Sequence, residues 1–345
     1  MERLTKLMTP LLAIASSLAI AGLLVLLTEA SPLAACAYLL DAGFSCHAPG
    51  RCALLTTLQF ATPLLLTGLS AAVAFRAGLF SVGQAGQMVL GAAVAAWLGS
   101  RLNLPGAAQA ALALTGGALA GAGWGWVPGV LKKFLNINEV IVTLVMNQLA
   151  LLLVGFVRLG RVGASARLAP LAHGTKLNVG IILALLAVVL IYIYLWHSAS
   201  GYEQRMAGQA PLFARFGGIR ERRVVLRAMC ISGGLAGLAG AIEVLGVHYR
   251  FISAFSGGDS FDGVIVALLG QSHPVGVTVA AVLLAGVRLG AMNGLQLQAR
   301  VPRELGGAMI ALAVLFVSAN RLYDKPIARV LNWAGRSSRK GRNTE

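Results

Sequence analysis

The stretch Phe75-Arg-Ala-Gly-Leu-Phe-Ser-Val-Gly-Gln-Ala-Gly-Gln-Met-Val-Leu-Gly91 decides how the chain is read. Apolar sequence flanks it on both sides, yet its own centre is Gly, Ser and Gln. Hydrocarbon offers no hydrogen bonds, so such a run must be buried in protein or line a wet cavity. In a chain that crosses a membrane many times, a polar interruption of this kind marks a broken helix beside a solute path.

The surrounding sequence is that of a multi-pass membrane protein. Of 345 residues, 57% are apolar and only 12% charged, with a mean hydropathy of +0.78; soluble domains carry about a quarter charged residues. Apolar runs predict helices near 8–28, 54–74, 79–98, 107–127, 140–157, 178–196, 224–247, 261–272, 275–293 and 304–320, about ten in all, with 261–272 too short for a full span. The expected fold is all-α, a single transmembrane domain over 1–320 followed by a basic tail, 321–345. With Arg3 and Lys6 placing the N-terminus inside, 17 Lys and Arg fall on inner segments and nine on outer ones. That asymmetry predicts both termini in the cytoplasm. Segment 158–176 is the exception, an outer stretch holding Arg158, Arg161, Arg167 and Lys176. The first apolar run, with basic residues before it, resembles a signal peptide, and Leu33-Ala-Ala-Cys36 a lipoprotein cleavage box. Glu29 and Pro32 separate that box from the apolar core, so the segment reads as a retained first helix. Cys46 and Cys52, in the first outer segment, are either a disulfide or free thiols.

Gly117, Gly121, Gly125 and Gly129 recur every four residues, as do Gly286, Gly290 and Gly294, making smooth faces for helix contact. Asn138-Glu-Val-Ile-Val-Thr-Leu144 and Asp262-Gly-Val-Ile-Val-Ala-Leu268 are alike, each follows a Gly-rich helix, and the two run in opposite directions, which suggests an inverted repeat. Residues 197–223 form the longest polar interruption, a cytoplasmic loop. Pro211 can open a short helix there and Gly217-Gly218 can close it, leaving Leu212, Phe213 and Phe216 as an apolar stripe among basic residues. This element either docks a partner or anchors topology.

Several classes are excluded. There is no P-loop for ATP, no metal-ligand spacing and no nucleophile elbow, so the chain is not expected to be an enzyme or to bind a metal or cofactor itself. Its charges are dispersed among membrane segments, which argues against nucleic acid as a partner. Membrane carboxylates are sparse, Glu243 deep and Glu139 and Asp262 near helix ends, and such groups are functional by default; Glu243 and Asp262 are the intramembrane charges singled out. They keep an ion-coupled secondary transporter as the rival reading. A structural alternative pairs Glu243 with Arg227 or Arg288.

Four blocks, in order and spacing, resemble the membrane permeases of bacterial ABC importers in the branched-chain amino acid, ribose and nucleoside group, and within it the simple-sugar and purine-nucleoside permeases. They are Thr62-Pro-Leu-Leu-Leu-Thr-Gly-Leu69 leading into the opening stretch, Asn138 to Asn147, Gly201-Tyr-Glu-Gln-Arg-Met-Ala-Gly208 through Gly218-Ile219, and Ile231 to Gly246 leading to Gly258 to Gly270. The family usually has Asn where Ser81 stands and Glu where Ala85 stands. The resemblance implies a permease subunit in the bacterial inner membrane that moves a small polar solute, a nucleoside or simple sugar. It further implies ATP-binding cassette partners that carry ATP and Mg, a second permease chain forming a homo- or heterodimer, a periplasmic or lipid-anchored solute-binding protein, and membrane lipid around the assembly. Ser81, Gln84 and Gln87 are the expected path residues, with Asn147 and Gln148 behind them; their groups bond sugar hydroxyls or a purine edge without carrying charge. Gly201, Glu203, Arg205, Gly208, Phe213 and Gly218 are expected to couple the chain to the ATPase.

Overall fold

A computed structural model describes residues 32–46, 52–102, 104–157, 159–171, 174–252 and 259–295. The expected helices 8–28 and 304–320 and the tail 321–345 lie outside them. The described chain is helical; its only β pairings among the described residues are three isolated bridges. In chain order the helices are α1 (Pro32–Phe44), α2 (Ala53–Arg76), α3 (Gln84–Arg101), α4 (Gly106–Leu135), α5 (Glu139–Gly155), α6 (Gly180–His197), α7 (Ala199–Gln209), α8 (Pro211–Phe216), α9 (Glu221–Glu243), α10 (Asp259–Leu269) and α11 (Pro274–Gly290). A π-helical turn, Val244–His248, extends α9, and another, Ala291–Leu295, extends α11. Five segments are long and apolar enough to cross a bilayer: Ala53–Arg76, Ala107–Leu135, Gly180–His197, Glu221–His248 and Pro274–Gly294.

The chain divides into two compact units, Ser45–Gly286 and the pair Met1–Phe44 with Val287–Glu345. In the second of these, α1 packs backbone to backbone on the end of α11: a Cβ on Gly290 would meet the carbonyl of Leu39, and one on Gly294 that of Tyr38. Sequence reading passed over α1, which is only 13 residues long, too short for a span and hidden in a segment assigned to the outer surface.

In the larger unit, α2 and α9 are the buried centre. Nearly every side chain of α2 from Ala61 to Ala74 is buried, as expected of a helix that is apolar all round. Its hydroxyls are satisfied locally, Thr67 donating to the Pro63 carbonyl at 2.8 Å and Ser70 meeting Ser232 of α9 at 2.9 Å. By contrast α4 and α6 leave most of their apolar surface uncovered, and so suit a lipid boundary. The glycine ridge of α4 lies against α9, antiparallel. Gly117 faces Ala241, Gly121 faces Gly233 and Gly237, Gly125 faces the Met229 carbonyl, and Gly129 faces the Met229 side chain. Gly91 of α3 meets Gly237 from the other side, so three helices touch through one seam where no side chain fits.

Helices in this unit alternate between two ends. One end gathers residues 76–84, 135–139, 197–221 and 269–274: the Arg76 guanidinium donates to the carbonyls of Ser272 and Gln271 at 3.0 and 3.1 Å, and Gly78 abuts Gly208. At the other end Gly163 N–H donates to the Gly99 carbonyl, Val162 N–H to Tyr249 and Leu168 N–H to Leu245. α5 starts at the first end, and the residues that follow it reach the second, where Gly160 abuts Ser100. Residues 159–178 therefore sit at the end opposite the 197–221 loop. Cys46 and Cys52 are disulfide-bonded.

Candidate functional site

The opening stretch of sequence is a break between two buried helices. α2 stops at Arg76 and α3 starts at Gln84, five residues later than the predicted 79. Residues 77–83 stay out of the helix because their polar backbone is bonded elsewhere. Gly78 adopts φ +75°, a conformation costly for any residue with a Cβ, and it leaves room for the backbone of Gly208.

One face of α5 holds the break. Glu139, Thr143 and Asn147 are four residues apart and share a helix side. Glu139 Oε1 accepts the Phe80 N–H at 3.3 Å, Thr143 Oγ1 accepts the Val82 N–H at 3.4 Å, and Asn147 Oδ1 accepts the Gly86 N–H at 2.8 Å. Asn147 Nδ2 returns a bond to the Val82 carbonyl at 2.8 Å. The first N–H groups of any helix lack partners within it, and Asn147 supplies one for α3. Lys132 closes the set, 2.9 Å from Glu139. Sequence reading named Asn147 but missed Glu139 and Thr143 as a ladder. The signal was present, three polar residues at four-residue spacing on an apolar helix.

The three expected path residues come together here. Ser81, Gln84 and Gln87 are all buried, none more than 1% exposed. Gln84 Nε2 donates to the Ser81 carbonyl at 3.2 Å, and Ser81 Oγ accepts the Gly83 N–H at 3.4 Å. Among the described residues the Oε1 atoms of Gln84 and Gln87 have no hydrogen-bond partner. A buried amide oxygen left without a donor costs about 1–3 kcal/mol, so two within one helical turn call for a ligand or water. The Gln87 amide nitrogen lies against Gly83 and Gly125, where a side chain on either glycine would crowd it. Gln148 is not among them; it lies on the exposed side of α5 with Leu144, Val145 and Leu149.

The 197–223 loop folds as two helices against the same break. Ser198 caps α7 through the Gly201 N–H, and Gly201 presses on the backbone of Tyr194 and Leu195. Gln204 is fully buried; its Nε2 donates to the Val73 carbonyl of α2 at 2.7 Å and its Oε1 accepts the Tyr194 hydroxyl at 2.7 Å. Gly208 reaches the break itself, where a Cβ would strike the Arg76 carbonyl and the Gly78 nitrogen. Glu203 pairs with Arg227 at 3.0 Å. Arg76 and Arg205 both lie over the Trp196 ring, at 5.3 and 5.6 Å. α8 opens on Pro211 and ends at Gly217-Gly218, with Gly218 at φ +77°. Its apolar stripe is uncovered, Leu212 72%, Phe213 62% and Phe216 91% exposed. Lys133, Arg215, Arg220, Arg222 and Arg223 line a cavity beside it.

The membrane carboxylates stand apart. Glu243 is buried and pairs with His248 at 3.3 Å across the π turn, while Arg227, one of the two arginines in the structural alternative, is taken by Glu203. Asp262 is half-buried near the start of α10. Among the described residues no cluster of His, Cys, Asp or Glu has the geometry to hold a metal.

Comparison with known proteins gives this architecture its family. Residues 53–318 match the family described as branched-chain amino acid transport system / permease component. The guanosine ABC transporter permease protein NupP of Bacillus subtilis is 35% identical over 336 residues, 92% of this chain and 95% of the relative. The nucleoside ABC transporter permease protein NupB of Lactococcus lactis is 29% identical over 310 residues, 83% and 85% of the two chains. The glucose ABC transporter permease protein TsgB13 of Haloferax volcanii is 28% identical over 340 residues, 92% and 88%. No solved structure matches. With most of its length matched and an all-helical, multi-pass architecture, the chain belongs to the ABC transporter permease family of branched-chain amino acid transport system permease components.

Proposed function

We propose that this chain is the permease of an ABC importer that carries nucleosides across the bacterial inner membrane, with Ser81, Gln84 and Gln87 on the solute's route. The observation that carries this reading is the pair of buried, unpartnered amide oxygens beside a held break between α2 and α3. Each can accept from a purine N–H or a ribose hydroxyl, and neither brings a charge that a neutral solute would leave stranded. The nucleoside permeases among its relatives point to the same solute class.

The end bearing α7, α8 and the basic residues 205–223 is the cytoplasmic one, as the positive-inside rule requires, and it faces the ATP-binding subunits. The exposed stripe Leu212, Phe213 and Phe216 enters a groove on that partner. Gly201, Glu203, Arg205, Gly208 and Gly218 fix its position. ATP and Mg stay on the partner subunits, a second permease chain completes the route, and a solute-binding protein loads it from the disulfide-bearing side.

The test is uptake by the reconstituted transporter of labelled guanosine against labelled glucose, with and without ATP and with a proton ionophore. Guanosine uptake that needs ATP and ignores the ionophore is expected. Gln87→Leu should lower it at least tenfold while the complex still assembles. Wild-type activity in Gln87→Leu would remove the amide from the route, and uptake collapsed by the ionophore would replace the ABC reading with ion coupling.

A further inference from the structure

The end opposite the coupling helices carries a second site. Residues 159–171 and the turn after α9 fold together there. Arg161 and Arg250 face each other across an antiparallel bridge, and Val162 and Leu168 are tied by their N–H groups to Tyr249 and Leu245 at 3.0 Å each. The π turn Val244–His248 ends in a left-handed Tyr249, φ 54°, and His248, Tyr249 and Arg250 all line one cavity. The Arg167 guanidinium carbon lies over the Tyr249 ring, 4.7 Å from its centroid. Together with Lys176 these residues line a cavity of about 370 Å³.

Among the described residues its charge is uncompensated. Among the described residues no carboxylate pairs with Arg161, Arg167, Lys176 or Arg250, and Glu243, the acid nearby, is engaged by His248. Four cations around one concavity raise each other's energy and focus a positive potential into it. The topology sharpens the point. On the proposed orientation this segment faces outward, where Lys and Arg are disfavoured, so four of them converging on a cavity are a retained liability unless something anionic fills it. Arg fits phosphate and carboxylate through a planar fork of donors, and the Tyr249 ring holds the Arg167 fork in place. The volume falls at the low end of small-ligand pockets, about 300–1,000 Å³, roomier than a bare ion needs and sufficient for a phosphate ester.

We infer that this cavity is a phosphate-binding site, filled either by the headgroup of an anionic lipid or by free phosphate. The anion is held by Arg161, Arg167 and Arg250, with Lys176 at the rim, and it neutralises the repulsion among them. Only its sidedness rests on the proposed orientation.

The test uses the assembled transporter. In one arm it is placed in nanodiscs containing phosphatidylglycerol and phosphatidylcholine, and retained lipid is read by native mass spectrometry. In the other it is held in neutral detergent and titrated with inorganic phosphate against chloride by calorimetry. Arg161→Gln/Arg167→Gln/Arg250→Gln should weaken binding at least tenfold in whichever arm binds, and higher salt should weaken it further. The arm that responds identifies the source. Arg220→Gln/Arg222→Gln, at the opposite end, should leave both arms unchanged. If the triple variant does not assemble, Lys176→Glu alone carries the test, with an expected loss of at least threefold. The inference fails if wild type takes up neither phosphate nor phosphatidylglycerol above the controls, or if the charge variants bind as wild type does. It fails equally if the variants lose only attachment of a solute-binding protein, which would make the cluster a surface for an acidic protein face.

Discussion

Replacing Asn147 by Leu tests whether α5 holds the break. The amide makes two bonds, one from the Gly86 N–H and one to the Val82 carbonyl, each 2.8 Å and buried. Leu keeps nearly the same volume and supplies neither. Both backbone groups then lose their partner in a place without water, at about 1–3 kcal/mol each. Cross-helix bonds in membranes run near the low end, about 0.6–1.7 kcal/mol, so a combined loss of about 1–3 kcal/mol is expected at this locus. At about 1.4 kcal/mol for each tenfold, amide exchange across residues 77–87 in nanodiscs should speed up by roughly 5- to 150-fold. Thr143→Val removes one long bond of 3.4 Å and should speed exchange by about tenfold or less. Gln148→Leu, one residue from Asn147 but on the exposed side, is the control and should do nothing. Exchange in Asn147→Leu within threefold of wild type, or an equal effect from Gln148→Leu, would falsify the clamp.

Gly121→Val should abolish assembly, because a Cβ there would fall on the Gly233 carbonyl and the Gly237 backbone, and neither can move aside; size-exclusion yield of the complex is the measure. Phe216→Asp, at a residue 91% exposed, should leave folding intact while cutting co-purification of the ATPase subunit at least tenfold; full retention would take α8 out of the docking surface. His273 lies against Trp196 and Tyr192, and burial together with the Arg76 guanidinium holds its imidazole below the ordinary histidine pKa. A histidine so depressed is content when neutral, so its contribution is complete above about pH 6.5 and is lost as pH falls toward its lowered value. His273→Asn should therefore flatten the acid side of the thermal-stability profile below about pH 6.5, leaving pH 8 unchanged.

Much of the fold was readable because membrane burial forces simple patterns. α2, α4, α6, α9 and α11 each show as an apolar run, and the ridge from Gly117 to Gly129 announced a close helix contact before its partner was known. The partner itself, Gly233 and Gly237 of α9, was not readable, since a four-residue glycine spacing says a face is smooth but not what lies on it. The start of α3 was misplaced for a different reason. Leu79 to Val82 are compatible with helix by composition, and only the acceptors on α5, remote in sequence, pull their N–H groups away. Glu243 meets His248 through the π turn, a geometry that no helical spacing in the sequence announced, and so the histidine was not among the partners weighed for it. Cys46 and Cys52 were open in sequence and are joined in the structure.

The arrangement also explains how a signal at α8 could reach the glutamines without a long chain of intermediates. α7 touches the break at two points of unlike character. Gln204 grips the Val73 carbonyl inside α2, and Gly208 lies directly on Arg76 and Gly78 at its end. The Gln204 side chain could absorb a small shift by changing rotamer, but the backbone-on-backbone contact at Gly208 cannot, and packed interfaces of this kind tend to hold one of two positions rather than deform smoothly. On the opposite side of the break the α5 ladder is made of directional bonds, two of them at 3.3 and 3.4 Å and so longer than ordinary N–H to oxygen bonds. The two longer bonds hold the Phe80 and Val82 N–H groups, while Asn147 holds the Val82 carbonyl and the Gly86 N–H at 2.8 Å each. Under the proposed coupling role, a push from α7 therefore opens the Phe80 bond first, leaving Val82 pinned by Asn147 and the helix start spared. Residues 79–81, with Ser81 among them, would move against a stationary Gln84 and Gln87. The solute would then be held by two fixed amides and released by one moving hydroxyl, which is the differential contact that a two-state transporter needs.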